Sequence, residues 1–185
     1  MGRGHTAKVA LLFPPLLLAS GPAAAEVTER GEGGFVVELG ASVPVPPDDA
    51  WVALITPARW WAAEHTWSGD SANLTLEPTA GGCFCEALQG AGSVEHMRVI
   101  HSAPGRLLRM EGALGPLQGE ALAGTLTIEI AREGEGTQIG LTYVVGGHSR
   151  FPLVDIATAV DDVLAGQLER LEALLRRDRG TPGEF

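Results

Sequence analysis

The C-terminal part of the chain holds the feature that most constrains the fold, a long amphipathic helix. Between positions 153 and 177 apolar residues recur every three or four positions, which is the period of an α-helix. Arg176 and Arg177 stand at its C-terminal end, where cations interact favourably with the helix dipole. A helix that is apolar on one side must bury that side against another layer. The stripe consists of Leu153, Ile156, Val160, Val163, Leu164, Leu168, Leu171, Leu174 and Leu175.

Alternating apolar residues upstream of this helix predict the second layer, a β-sheet. Phe35 to Val43 alternates cleanly, and so do residues 122–131 and 137–145, which are separated by a short Gly-containing turn. About seven such segments follow one another through short connections, a pattern typical of an antiparallel meander. Two short helices are predicted after the first strand, at Ala50–Ile55 and from Pro57 to Trp61.

These elements predict an α+β fold, in which one curved antiparallel sheet wraps around the long C-terminal helix. The helix can bury its stripe only against the concave face of the sheet. A wedge then remains between the two layers, closed at one end by the short helices. Such a wedge predicts an apolar cavity.

The N-terminus carries the signature of a signal peptide. Arg3 and Lys8 precede an apolar run from Val9 to Leu18, and Ala23 and Ala25 occupy the positions that a signal peptidase requires. The run is shorter than the roughly 20 residues that span a bilayer. We therefore expect cleavage after residue 25 and export to the periplasm or the medium; an uncleaved anchor is the alternative.

The remaining chain is predicted to be a single domain. Residues 26–34 are polar and Gly-rich and predict a flexible leader, 35–177 the folded domain, and 178–185 a frayed tail. Without residues 1–25 the chain has 11 basic and 23 acidic residues. This negative charge argues against nucleic acid and anionic membranes as partners. Oligomeric state is not indicated.

Six short motifs follow one another through the chain: Asp48–Trp51, Pro57–Trp61, Pro78–Gly82 before a strand ending in Glu86, Pro104–Leu108, Gly136–Thr137 and Gln167–Leu171. Their order and spacing resemble those of the START-like superfamily, also called SRPBCC, which has the helix-grip fold. The most similar branch is named after the activator of the heat-shock-protein ATPase, and polyketide cyclase-like proteins also belong to the superfamily. The resemblance covers about residues 35–176 and implies a ligand-binding cavity, since the superfamily includes lipid carriers, hormone receptors and aromatic cyclases. That branch is typically cytosolic, whereas this chain carries a predicted export signal.

Three tryptophans, Trp60, Trp61 and Trp67, cluster in the segment that should close the cavity. They could form an aromatic wall or lid, or two of them could only pack the short helices onto the sheet. On a helix, adjacent residues lie about 100° apart. One of Trp60 and Trp61 is therefore expected to face the cavity and the other to face packing or solvent.

Cys83 and Cys85 are the only cysteines and are expected on one face of a strand. In a straight strand residues i and i+2 lie roughly 6.5–7 Å apart at Cα, at the limit for a disulfide. We expect two thiols facing the cavity, or a strained bridge if the segment is not a strand. Metal binding with His96, His101 or His148 is the alternative, but the spacing matches no standard site. No metal or cofactor is predicted.

His101 and Tyr143 are the predicted polar groups of the cavity. Met97 and Val99 share a strand face with Glu95 and His101, which predicts that this face points inward. Tyr143 lies on the apolar face of its own strand. A His and a Tyr could act as an acid–base pair, or both could simply be satisfied core residues.

The predicted function is non-catalytic binding of a small hydrophobic molecule between sheet and helix, because the sequence contains no recognisable catalytic set. Trp60, Trp61, Trp67, Cys83, Cys85, His101 and Tyr143 are the candidate ligand-binding residues. The alternative is a cyclase- or hydrolase-like enzyme using His101 and Tyr143. A third possibility is a module that binds a partner through the outer face of the sheet.

Overall fold

The computed structural model describes residues 26–179. The predicted signal peptide, residues 1–25, lies outside the described residues, as does most of the predicted tail, residues 180–185. Within the described range the chain forms the expected two layers, a curved antiparallel sheet and a long C-terminal helix.

The sheet has eight strands, and every neighbouring pair is antiparallel. Its order is β1-β2-β8-β7-β6-β5-β4-β3. Seven of the strands correspond to the predicted ones, and the alternating apolar positions of residues 35–43, 126–130 and 139–145 are buried as predicted. The strands are β1 Glu26–Gly31, β2 Gly34–Val43, β3 Leu74–Leu76, β4 Cys83–Ala87, β5 Ser93–Ala103, β6 Leu107–Glu111, β7 Ala121–Glu133 and β8 Gly136–His148.

The eighth strand, β1, corrects the prediction of a flexible leader at residues 26–34. It pairs with β2 at the sheet edge, with Arg30 opposite Phe35 and Val27 opposite Val37. Because residues 28–33 are exposed, no alternation of buried apolar side chains marks this strand in the sequence. Backbone hydrogen bonds to β2 hold the strand, and these carry no side-chain signature.

Residues 26–179 contain two α-helices, α1 Pro47–Leu54 and α2 Leu153–Asp178. Proline at the first turn and the acids Asp48 and Asp49 favour the start of α1. The second predicted short helix is only a 3₁₀ turn, Pro57–Arg59, followed by another at Ala63–His65. Further 3₁₀ turns lie at Ser71–Asn73, Gln89–Ala91 and Gly115–Gly119. None of the helices in residues 26–179 is both long and apolar enough to cross a membrane.

The α2 helix lies against β1, β2 and α1, and its stripe leucines share one core with the buried side chains of the sheet, which confirms the helix-grip arrangement. Asp161 is buried, unlike its exposed neighbour Asp162, because its position continues the buried series of Ala157, Leu164 and Leu168. Asp178 was assigned to the frayed tail. It ends α2 instead, and its carboxylate lies 2.7 Å from the Arg59 guanidinium.

Candidate functional site

The space between sheet and helix contains an apolar cavity, but it is small. Its volume is about 30 Å³, and its wall is built from core side chains together with the amide of Gln167. A single water molecule needs roughly 10–15 Å³ of such volume. The predicted wedge is therefore filled by protein side chains, as in an ordinary close-packed core.

A larger pocket of about 240 Å³ opens at the end of the wedge; we call it the mouth pocket. Three segments form its walls: residues 61–67 after α1, the loop 114–117, and residues 160–164 of α2. His96 of β5 completes it. A more open depression of about 340 Å³ lies over β1, β2 and β8, but it has no buried polar side chain among its lining residues.

Trp61 separates the two cavities, since Trp61 and Leu164 line both of them. Its indole Nε1 donates to the carbonyl of His65 at 3.1 Å. Its ring meets Phe84 edge-on, with ring centres 5.4 Å apart. The ring is therefore held on both its polar and its apolar sides.

Trp60 also lines the inner cavity, so the expectation that one of the two adjacent rings faces away is wrong. Both rings are buried, and Trp60 Nε1 donates to the carbonyl of Ala53 at 3.0 Å. The 100° rule fails because the 3₁₀ turn ends at Arg59, and Trp60 has a non-helical φ of −137°. Trp67 stands at the rim of the mouth pocket and is 57% exposed.

A buried carboxylate, Glu86, stands behind the mouth pocket and binds His96. Glu86 Oε2 lies 2.9 Å from His96 Nε2 and accepts from the backbone N–H of Trp67 at 3.1 Å. Its other oxygen accepts from the backbone N–H of Ser68. Burial by itself raises the pKa of Glu86, but the hydrogen bonds from Ser68, Trp67 and His96 outweigh burial and hold that pKa below its ordinary value. Glu86 is therefore an ionised acceptor at neutral pH.

A β-bulge brings His96 inward. Phe84 pairs with Met97 and Cys85 pairs with Glu95, so β5 has one extra residue, His96, at this point. Both His96 and Met97 are buried as a result. The prediction that Glu95 points inward is wrong, since its carboxylate is exposed and binds Arg98 at 2.6 Å.

A second bulge on β5 turns His101 outward. Val99 pairs with Met110 and His101 pairs with Arg109, so Ile100 is the extra residue. His101 is exposed, whereas it was predicted to face the cavity. It cannot form an acid–base pair with Tyr143, which is fully buried.

Tyr143 has a structural contact instead. Its hydroxyl donates to the Gly112 carbonyl at 3.1 Å and accepts from the Leu114 N–H at 3.0 Å. Burial raises the pKa of Tyr143 to about 12. A Cβ on Gly124 would lie 2.6 Å from this hydroxyl, so glycine is required there. Tyr143 thus anchors the start of the loop that lines the mouth pocket.

Cys83 and Cys85 form a disulfide, which corrects the prediction of two thiols. Their Cα atoms are 5.3 Å apart, closer than in a straight strand and within the range for a disulfide. They also lie on the outer face, since the alternating residues Phe84 and Glu86 are the buried ones. Neither cysteine lines the inner cavity or the mouth pocket.

Of the candidate ligand-binding residues, the structure brings Trp61 and Trp67 to the mouth pocket and Trp60 to the inner cavity. Glu86 and His96 were missed as site residues. A glutamate inside an otherwise apolar strand face was the available signal for Glu86. Among residues 26–179 no group of three or more His, Cys, Asp or Glu side chains is arranged to hold a metal ion.

No protein-family model matches the chain, and no curated protein matches its sequence. Solved structures do match. An uncharacterised protein from Rhizobium leguminosarum has a TM-score of 0.58 at 19% identity, covering 81% of this chain and 99% of that one. CalU16 from Micromonospora echinospora has a TM-score of 0.55 at 19% identity, covering 85% and 86% respectively.

The Aha1 dimer from Colwellia psychrerythraea has a TM-score of 0.51 at 15% identity and covers 76% of this chain and 96% of that one. At such identities the likeness concerns the fold and not the activity. Together with the sheet order and the position of α2, it shows that the chain has the helix-grip fold that the motif resemblance implied.

Proposed function

We propose that this protein is exported and binds one small, mostly hydrophobic molecule in the mouth pocket. The observation that carries the proposal is the pocket itself: a concavity of about 240 Å³ between sheet, loop and helix, with the buried His96 in its wall and Glu86 bound to His96 behind it. Ligand sites are typically concave and largely apolar, with a few placed polar groups.

The sequence predicted a ligand inside the wedge enclosed by sheet and helix, whereas the ligand proposed here lies in the mouth pocket at the end of that wedge. The inner cavity of about 30 Å³ is too small for an organic molecule. The mouth pocket adjoins it through the shared wall of Trp61 and Leu164. The ligand's apolar end would therefore rest on Trp61, and its outer end would reach Trp67 at the rim.

The residue pair that suggested an enzyme cannot act as an acid–base pair, because His101 is exposed and the Tyr143 hydroxyl binds the backbone at Leu114. Binding without turnover is the simpler proposal for the arrangement that remains.

Ligand binding is tested first by native mass spectrometry of the protein purified from its own host, followed by thermal shifts with a lipid and polyketide panel. A filled-pocket variant, Val163→Phe, should lose the copurified mass and the shift. Val154→Phe is the matched control, because Val154 lies on the same helix, is 40% exposed and does not line the pocket. Binding that survives Val163→Phe unchanged would place the ligand elsewhere.

Export is tested separately by N-terminal sequencing of the protein from its host. The sequence should begin at or near Glu26, as the small residues before it suggest. A product that retains Met1 in the cytoplasmic fraction would refute export and leave the binding proposal standing.

A further inference from the structure

We infer that His96 selects the ligand of the mouth pocket, and that this ligand is an apolar molecule carrying a neutral hydroxyl donor, such as a phenol or an alcohol. The inference rests on the proposed function and specifies the chemistry of the same site. It starts from the one polar side-chain pair that is buried at the pocket, Glu86 with His96.

The first step is the protonation pattern of the imidazole. The ionised carboxylate of Glu86 can only accept, so His96 Nε2, at 2.9 Å, must carry a proton and donate it. A neutral imidazole with a proton on Nε2 has an unprotonated Nδ1, which is a hydrogen-bond acceptor. In its neutral form His96, which lines the pocket, thus has Nδ1 as a hydrogen-bond acceptor.

The second step is the rigidity of this acceptor. Glu86 is itself held by the backbone N–H groups of Trp67 and Ser68. On its other side the imidazole ring packs against Phe84, with ring centres 5.1 Å apart. An acceptor that is oriented before binding costs little conformational entropy when a ligand donor meets it.

The third step is discrimination. The walls around His96 include Leu117, Val163 and Leu164, whose side chains offer no hydrogen-bond partner to a polar ligand. A ligand that lacks a donor would bury the imidazole acceptor without a partner, and an unpaired buried polar group is costly. Charge then favours a neutral donor over a carboxylate, because Glu86 and the rim residue Glu64 are both acidic and the chain is strongly negative.

The test compares two probes of nearly equal apolar size, 2-naphthol and 2-methoxynaphthalene, which differ in the hydroxyl donor. Titration calorimetry on the full mature protein should give about tenfold tighter binding of 2-naphthol, which corresponds to about 1.4 kcal/mol. In His96→Gln the side-chain amide can still donate to Glu86, but no acceptor remains at the Nδ1 position. In this variant the ratio of the two affinities should fall to about one, while the affinity for the methyl ether should be unchanged.

Two further variants separate recognition from structure. His96→Asn places an amide near the Nδ1 position and should retain part of the preference. His101→Gln, at an exposed β5 position outside the pocket, should retain all of it. If His96→Gln does not fold, ¹⁵N NMR of the wild-type protein replaces it: 2-naphthol should shift the His96 Nδ1 resonance and the ether should not.

The outcomes distinguish the two proposals. Equal affinity of the wild-type protein for both probes overturns the role of His96 and leaves ligand binding intact. A preference that persists in His96→Gln overturns it as well. Binding of neither probe overturns the proposed function at this pocket, and the inference falls with it.

Discussion

His96 Nε2 lies 2.9 Å from Glu86 Oε2, and this contact joins the inner face of β5 to the inner face of β4 beside the mouth pocket. The two residues meet because the bulge at His96 turns an otherwise outward position inward. The same carboxylate fixes the backbone at Trp67 and Ser68, so one buried charge positions two walls of the pocket.

Glu86→Gln should destabilise the protein by about 2–3 kcal/mol, because an amide cannot accept from all the donors that the carboxylate binds. The pKa of Glu86 is lowered in the folded state, so its stabilisation is present above the ordinary value of 4.5 and is lost as pH falls through the folded pKa. In urea unfolding experiments, the free energy of unfolding of the variant should therefore fall less between neutral and acidic pH than that of wild type. Glu129→Gln, at an exposed position of β7, should match wild type throughout.

Tyr143→Phe should cost about 1–2 kcal/mol, because it removes the hydroxyl that binds Gly112 and Leu114. The folded-state pKa of about 12 exceeds the ordinary 10.0, so the hydroxyl's stabilisation is complete below pH 10.0 and declines as pH rises towards 12. Tyr143 is the only tyrosine, so tyrosinate absorbance follows it directly. Titration at the ordinary pKa in the folded protein would contradict this account.

Trp61→Ala should cost about 3–5 kcal/mol, since it removes a buried ring. It should also merge the inner cavity with the mouth pocket and admit longer ligands.

Trp67→Ala removes a ring that is 57% exposed and should change the free energy of unfolding by less than about 0.5 kcal/mol. It should nevertheless weaken binding and reduce ligand-induced fluorescence quenching. Unaltered quenching in both variants would mean that the tryptophans are packing residues only.

The Cys83–Cys85 disulfide should contribute little to stability, because it closes a very short loop. Loop-entropy arguments give about 1.5 kcal/mol for three residues, about half the value for a 15-residue loop. Urea unfolding of Cys83→Ser/Cys85→Ser and of reduced wild type should show losses of this size, with the fold retained. Ligand binding should persist, because both cysteines lie on the outer face; loss of binding would link the disulfide to the pocket.

Leu168→Asp should abolish folding, because an unpaired carboxylate in the main core costs several kcal/mol, comparable to the whole stability of a small domain. Leu164→Asp should behave alike. Asp162→Ala, on the exposed side of α2, is the control and should be nearly neutral. Circular dichroism measures whether each variant folds, and urea unfolding measures the stability of those that do. Equal tolerance of the two kinds of substitution would contradict the assignment of the stripe to the core.

Seven of the eight strands and both α-helices of residues 26–179 were predictable from the sequence alone, because apolar side chains recur in them at the period of a strand or a helix. Leu126, Ile128 and Ile130 needed nothing beyond alternation to be placed inside. Strand β1 was not predictable in this way, since its edge pairing relies on the backbone and not on apolar burial.

The tertiary structure alone decided the site. Strand alternation assumes unbroken register, and the two bulges on β5 break it, placing His96 inside and His101 outside. Whether the wedge is open also depends on how side chains from distant segments fit together: Trp60 and Trp61 line the inner cavity together with Leu164 and Leu168 of α2, and only about 30 Å³ is left. Local sequence determines which side of an element is apolar. Register shifts and the fit between elements arise only when those elements pack together, and here they decide which polar groups reach the pocket.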